Sequence, residues 1–500
     1  MSVADVPMQR DAKSFFGHPR GLMTLFLTEM WERFSFYGMR ALLTLYLVAP
    51  PDGVSPPGGG LGISSGDATA IYGTYLALVY VAPLAGGWIA DRMWGPRRAV
   101  LVGGIIIAAG HFLMALPEQQ VSFWIGLLFI AAGTGLLKPC VSCLVGGLYD
   151  DGNESRRDAG FSIFYMGINL GAFIAPLICG FLADNVNWHV GFAAAGVGMA
   201  FGVVQYLAGG KTLGEVGRAV PNPAPPEVRR RVFSLSAVLL VIVVALVASF
   251  SLVRGGFSIN DVVDVLTIII LILPVVYFRR IFSSGKLTDV ERSRMRAFLV
   301  LFLASAVFWM IFDQAGSTLN IFAQESTDRN IGGWEMPAAW LQSVDPILVI
   351  IFAPIFAALW TKMGDKAPST SLKFAFGLVG IGLSFLVMVV PGLAADGGDS
   401  SSIWWLIGVY LIQCWSELLL SPTGLSATTR LAPAGMASQL LALWFLSNAV
   451  GDTIGGQLAK GLDSIGLAPY FGILGSAAVL CGLVLILFSP KVRRMMAGVK

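Results

Sequence analysis

The sequence predicts an all-α polytopic membrane protein with fourteen spanning helices, grouped as six, then two, then six. Three observations predict it. Only 13% of the 500 residues are charged and 56% are hydrophobic, with a mean hydropathy of +0.75, whereas a soluble domain carries about 25% charged residues. The apolar residues gather into runs of about 20, the length that crosses a bilayer as a helix. The basic residues fall almost entirely on one side of the resulting path.

In order, the runs cover 21–48, 68–90, 98–116, 121–148, 158–184, 188–208, 232–253, 259–282, 297–322, 338–362, 371–391, 402–429, 437–459 and 467–488. Short polar stretches such as Pro50-Pro51-Asp52-Gly53 separate them. The longest interruption, 209–231, holds Pro221, Pro223, Pro225, Pro226 and Arg229-Arg230-Arg231. The chain therefore divides into an N-terminal six-helix bundle (1–210), a cytoplasmic linker (211–231), an inserted two-helix hairpin (232–282) and a C-terminal six-helix bundle (283–500). The first 20 residues are polar, with Arg10, Lys13 and Arg20, and no apolar run there ends in a small-residue cleavage site. The run from Gly21 is thus expected to be a retained helix rather than a leader.

Basic residues favour the cytoplasmic side of a membrane. With the N-terminus in the cytoplasm, 27 of the 33 Lys and Arg fall on that side and only Arg254, Arg329 and Lys460 on the other. The remaining Arg33, Arg40 and Lys138 lie within spans. Both termini are therefore expected in the cytoplasm. Asp91-Arg92-Met93-Trp94-Gly95-Pro96-Arg97-Arg98 follows the second helix, and Lys362-Met363-Gly364-Asp365-Lys366 stands at the matching place in the second half. A charged, Gly-containing turn repeated this way marks a duplicated transporter and favours the six-plus-six major facilitator architecture. The inserted pair shows no buried charge in this reading and is expected to pack at the periphery.

Several classes are excluded. A net charge of +3 is too small to suggest nucleic acid. The five cysteines, Cys140, Cys143, Cys179, Cys414 and Cys481, lie in apolar stretches, which argues against a disulfide framework. The Cys140/Cys143 spacing has no second ligand pair, so no metal is expected. Nothing resembles a Walker motif, and no cofactor is expected. His111, alone in an apolar helix, reads as a packed, hydrogen-bonded residue.

Seven ionisable residues sit near mid-membrane: Glu29, Glu32, Arg33, Arg40, Lys138, Asp313 and Glu417. Each costs about 3 kcal/mol at a helix centre. Left unpaired, the seven would cost roughly 20 kcal/mol, above the usual 5–15 kcal/mol of net stability. They must be paired, hydrated or protonated, and such residues are functional by default. On the first helix Glu29, Glu32, Arg33, Phe36, Tyr37 and Arg40 follow steps of three and four and share one face. Depth, at about 1.5 Å per residue, places Arg40 level with Asp313 toward the outside, and Lys138 level with Glu417 toward the cytoplasm. Two cross-half pairs are geometrically available, Arg40–Asp313 and Lys138–Glu417. Against the alternative of purely structural ion pairs, apolar replacement of buried pairs is often neutral or stabilising. Four acids also face three bases. The surplus acid is the easiest to carry protonated, because removal from water penalises the charged form.

At these residues the sequence resembles the proton-dependent oligopeptide transporter (POT/PTR) family. Glu29-Met30-Trp31-Glu32-Arg33-Phe34-Ser35-Phe36-Tyr37-Gly38 is similar to the family's ExxERFxYYG signature, with Phe36 for the first Tyr. Phe164-Tyr165-Met166-Gly167-Ile168-Asn169-Leu170-Gly171 resembles its FYxxINxG stretch. Gly86-Gly87-Trp88-Ile89-Ala90-Asp91 and Phe308-Trp309-Met310-Ile311-Phe312-Asp313-Gln314 also fit. The resemblance implies proton coupling through Glu29, Glu32, Arg33 and Asp313, and capture of a peptide carboxylate by Arg40 and Lys138. It further implies that Glu417 takes the amino group and that Tyr37, Tyr80 and Asn169 hydrogen-bond the peptide backbone. Trp309 and Trp444 would line side-chain pockets, although bundle packing explains both equally well. Arg40–Asp313 and Lys138–Glu417 would act as gate salt bridges. Two departures stand out: Asp345 where Asn is expected, and Gly73 where mammalian members carry His.

A dipeptide zwitterion needs a basic and an acidic pole facing across one cavity. Arginine's fork suits the carboxylate, and aromatic walls accept varied side chains. The implied function is proton-coupled import of di- and tripeptides by alternating access, with peptides, protons and the lipid bilayer as partners. The alternatives are a proton-coupled carrier of another anion such as nitrate or of a drug-like solute, and a membrane-embedded enzyme. The enzyme is disfavoured because the charges are mixed in sign and central. Nothing specifies an oligomer, and a monomer suffices. The short segment before 402 leaves no room for the large extracellular domain of animal relatives, which with the inserted hairpin points to a bacterial inner (plasma) membrane.

Overall fold

The structure, a computed structural model, describes residues 15–52, 59–117, 120–149, 154–283, 285, 287–433 and 436–498. Arg10, Lys13, Lys286 and Lys500, part of the basic tally above, lie outside them, as does Gly53. The first group of helices is α1 (Arg20–Val48), α2 (Ser65–Ile89), α3 (Pro96–Met114), α4 (Gln120–Gly146), α5 (Glu154–Asn185) and α6 (Trp188–Gly209). The pair α7 (Pro226–Arg254) and α8 (Ile259–Ser283) follows. The last group opens with α9 (Asp289–Phe312) and α10 (Thr318–Glu325). It continues through α11 (Val344–Met363), α12 (Thr370–Val387) and α13 (Val389–Asp396) to α14 (Trp404–Leu431), α15 (Ala437–Ala459), the short α16 (Leu462–Ile465) and α17 (Leu467–Met495).

Twelve helical segments of the described chain are long and apolar enough to cross a membrane. In that set α9 runs on into α10, and α12 into α13, as single spans. Helices α1 (29 residues) and α15 (23 residues) complete fourteen, carrying their charges midway. The six-two-six grouping therefore holds.

Three expectations need correction. The run 297–322 is not one uninterrupted helix. It breaks at the 3-10 turn Asp313–Gly316, and Ser317 leaves helical geometry at φ −127° and ψ −93°. Carbonyls freed by such a break need partners. Ala315 O accepts from Gln342 Nε2 at 2.5 Å, and Gly316 O from Thr44 Oγ1 at 2.9 Å. His111 is fully buried, but neither ring nitrogen has a hydrogen-bond partner, so it is packed without being bonded. The inserted pair does carry a buried charge. Asp261 is fully buried and takes Arg254 Nη1 at 2.9 Å, Ser251 Oγ at 2.7 Å and Ser258 N at 3.0 Å.

Helix α7 buries no residue at all. Helix α8 mediates for it, seating Phe278 against Phe298 and Phe302 of α9. Arg254 also reaches Asp264, which Lys460, immediately after α15, grips at 2.7 Å. Arg329 pairs with Glu335 at 2.6 Å. The three basic residues on the sparsely basic face are thus all held in ion pairs.

Along the centre, α2 lies directly on α15. A Cβ on Gly73 would stand 2.3 Å from the carbonyl oxygen of Asp452, and one on Gly456 would stand 3.0 Å from Ala70 Cα. Small residues allow two helix backbones to meet in a membrane. This contact is the physical reason no imidazole fits at position 73.

Candidate functional site

The site begins on α1, whose face of threes and fours turns inward as expected. Glu29, Glu32 and Arg33 are all buried. Arg33 Nε lies 3.2 Å from Glu29 Oε1 and bonds Glu32 Oε2 still more closely. One base therefore holds two acids, and Glu32 Oε1 and Arg33 Nη2 remain without partners. Two turns on, Arg40 reaches across to the other half. Its Nη2 donates to Asp313 Oδ1 at 2.9 Å and its Nε to Tyr72 Oη at 2.5 Å, with the guanidinium over the rings of Tyr37 and Tyr72. The break after α9 is what presents Asp313 there. A Cβ on Gly316 would stand 2.1 Å from Tyr72 Oη and 2.9 Å from Arg40 Nε, so a side chain there would displace the pair.

This ion pair lies within a wider latch between the halves. Asn320 Nδ2 donates to Ala41 O at 2.9 Å, Trp340 Nε1 to Leu177 O at 3.0 Å and Ser343 Oγ to Phe173 O at 2.7 Å. All these contacts lie toward the sparsely basic face.

The second pairing, Lys138 with Glu417, is not formed. Among the described residues no ion pair joins them. Lys138 Nζ instead sits 5.0 Å from the centre of the Tyr80 ring, within electrostatic reach of Glu29, Glu32, Arg33 and Asp313. Glu417 lies in the field of Asp345, Asp313 and Arg40. The physical reason is that the latch closes only one face. No hydrogen bond among the described residues ties α4 to α14 toward the basic face, where the two side chains would have to meet.

The geometry nevertheless gathers charges from both halves around one region. Arg40 and Lys138 supply its basic groups, and Glu417 and Asp345, which feel Arg40 and Asp313, its acidic ones. Asp345, on the first turn of α11, leaves Oδ1 without a partner. Tyr37 lies under Arg40 and Tyr80 under Lys138, and both are only partly buried. Asn169, on α5, donates from Nδ2 to Tyr165 O at 3.1 Å. Trp309 and Trp444 are 7% and 4% exposed. Trp309 packs edge-on to Phe308 and Phe312, and Trp444 edge-on to Phe374. In this conformation both tryptophans sit as packing residues.

Sequence reasoning missed Tyr72 and Asp452. Tyr72 carries no signal in sequence, being one more aromatic in an apolar helix. Asp452, 4% exposed, lies in the middle of the run 437–459, and a charge at that depth is itself a flag. Among the described residues, no group of three His, Cys, Asp or Glu is placed to hold a metal.

The POT family model matches residues 97–470. The uncharacterized transporter YclF of Bacillus subtilis is 44% identical over 488 residues, spanning 97% of each chain. The di-/tripeptide transporter of Lactococcus lactis subsp. cremoris is 38% identical over 499 residues, spanning 99% of each. A crystal structure of peptide transporter POT in complex with sulfate superposes at a TM-score of 0.90, with 44% identity and 97% of each chain covered.

Proposed function

The chain belongs to the POT family, and from that premise we propose that it is a proton-coupled importer of di- and tripeptides working by alternating access. The carrying observation is the Arg40–Asp313 contact, made between the two halves at 2.9 Å, with Glu417 and Asp345 in the field of both groups. A peptide lies between the basic and the acidic groups. Its carboxylate goes to Arg40 and Lys138 and its ammonium to Glu417. Tyr37, Tyr80 and Asn169 bond its backbone, and Trp309 and Trp444 turn to line its side chains. Peptide carboxylate and Asp313 compete for Arg40, so substrate on Arg40 releases the latch, and protonation of Asp313 does the same from the other side. Glu29, Glu32 and Arg33 carry the rest of the coupling. Coupling requires that each ligand prefer one of the two states. The conformation described, latched toward the sparsely basic face, is the inward-facing one.

The wider reading follows. The bundles 1–210 and 283–500 rock against each other, joined by the 211–231 linker. The hairpin 232–282 is peripheral, supported by α7's lack of any buried residue. The basic face with both termini is cytoplasmic, the membrane a bacterial inner membrane, and the working unit a monomer.

The test is uptake of labelled dialanine into proteoliposomes under an imposed proton gradient. Saturable uptake that collapses with a protonophore is expected. Accumulation of nitrate or a free amino acid, with dialanine failing to compete, would remove the peptide assignment.

A further inference from the structure

Behind the latch stands a second carboxyl group that the reading above does not use. Asp452 of α15 lines the same small buried cavity as Asp313, and the two carboxyl groups act on one another at close range. Asp313 Oδ1 is occupied by Arg40. Asp313 Oδ2 and both oxygens of Asp452 meet no N–H or O–H donor among the described residues. Asp313 is 5% exposed and Asp452 4%, so bulk water does not supply the missing donors. A cavity of about 10 Å³, lined by Thr69, Tyr72, Gly73, Asp313, Gln314 and Asp452 among others, adjoins the pair. That is about the smallest space that holds one water.

Bare carboxylate oxygens buried without donors are costly, and two neighbouring carboxylates beside one small buried cavity do not both carry charge. The charged group acting on Asp452 besides Asp313 is Arg40, which already pairs with Asp313. Tyr72 and Tyr80 of α2 also face this charge. Asp264 of α8 is engaged by Lys460 and Arg254. Lys138 of α4 also acts on Asp313, as do the acids Asp345 of α11 and Glu417 of α14, but Asp452 has no cation of its own among the described residues, and the donor that satisfies it is a proton.

We propose that Asp313 and Asp452 form a proton-sharing carboxyl pair, in which Asp452 holds the proton while Arg40 is on Asp313 and hands it to Asp313 when Arg40 leaves. The inference rests on the transport reading and names a further proton site within it. The steps balance. With the latch closed, Arg40 is positive, Asp313 negative and Asp452 neutral. As the peptide carboxylate draws Arg40 away, the proton passes from Asp452 to Asp313. Asp452, now charged, takes one proton from the water side. Release of Arg40 is thereby tied to uptake of one proton.

The variant is Asp452→Asn, which keeps the shape and removes the proton carrier. Two measurements apply. The first is proton-driven dialanine uptake against pH, each protein normalised to its own maximum. The midpoint of the alkaline fall is expected to move to acid by about one pH unit in the variant, because Asp313 must then recruit its proton directly. The second is the infrared carbonyl band of neutral carboxyl groups in the purified wild type at neutral pH, which the variant should show diminished. The band is read without transport, so it still decides if the variant is inactive. Superimposed pH profiles, or an undiminished band, would overturn the pair. Wild-type uptake that ignores the proton gradient would instead overturn the transport reading and leave the band to judge the pair alone.

Discussion

The Arg40–Asp313 contact makes the sharpest demand on the proposed cycle, and Asp313→Asn probes it with little change of shape. Both side chains are largely excluded from water, at 11% and 6% exposure. A hydrogen bond between charged groups contributes about 1.5–3 kcal/mol and a neutral one about 1 kcal/mol. Removing one partner of a buried pair outright costs about 3–5 kcal/mol. The amide still accepts from Arg40, and Tyr72 still holds Arg40 Nε. The loss therefore falls between these limits, at about 2 kcal/mol, which shifts the balance of states roughly thirty-fold toward the opened latch. The assay is a distance distribution between spin labels at Val186 and Ile331, exposed positions near the ends of α5 and in the hairpin after α10. A second, longer distance should grow from a minor to a comparable population. If it instead stays at its wild-type level, the ion pair does not hold that face shut, and the competition between substrate and Asp313 for Arg40 fails with it.

Other outcomes follow from the same geometry. Glu417→Gln should raise the KM for dialanine at least about tenfold, the worth of one charge-assisted contact, while an N-acetylated dipeptide competes as weakly as before. Equal effects on both would place Glu417 away from the ammonium. Glu32→Gln should spare gradient-free counterflow and abolish uphill uptake, and loss of both would make Glu32 structural. Gly73→Ala should lower the melting temperature and uptake together, because its Cβ meets the Asp452 carbonyl at 2.3 Å. Gly408→Ala, where nothing lies within 4 Å, should change neither, and a harmless Gly73→Ala would refute the backbone contact. At the base of α1, His18 Nδ1 lies 3.0 Å from Tyr149 Oη, and burial, then the charge of Arg156, holds the imidazole below its ordinary range. The unfolded segment binds the proton more readily, so the contact is kept above about pH 6.5 and weakens as the pH falls through that value. Amide hydrogen exchange at residues 15–18 should rise between pH 7.5 and 5.5, and His18→Gln should remove the pH dependence.

The number of spans and the central charges were legible because the bilayer makes them so. Lipid sets a length of about 20 residues, and an ionisable residue at mid-depth requires a reason. Depth counting along straight helices sufficed to bring Arg40 to Asp313. It did not suffice for Lys138 and Glu417, because depth says nothing about the lateral separation of two bodies that move. The break at Asp313–Gly316 was illegible for a different reason. Its carbonyls are satisfied by Thr44 and Gln342, more than 270 and about 27 residues away respectively, and no local pattern encodes such partners. Asp452 was within reach of the rule that found the others. Counting it with Asp345 raises the central acids from four to six against the same three bases, which makes the need for bound protons stronger than the sequence tally suggested.

The α2–α15 seam has a geometric consequence of its own. Gly73 is eight residues from the start of α2 and sixteen from its end, or about 12 Å and 24 Å at 1.5 Å per residue. Two backbones in contact leave no cushion of side chains to shear, so the halves can tilt about that line more easily than they can slide along it. An off-centre pivot is a lever with unequal arms. Any tilt parts the basic ends of the helices about twice as far as the opposite ends, which makes the mouth at the basic face the wider of the two.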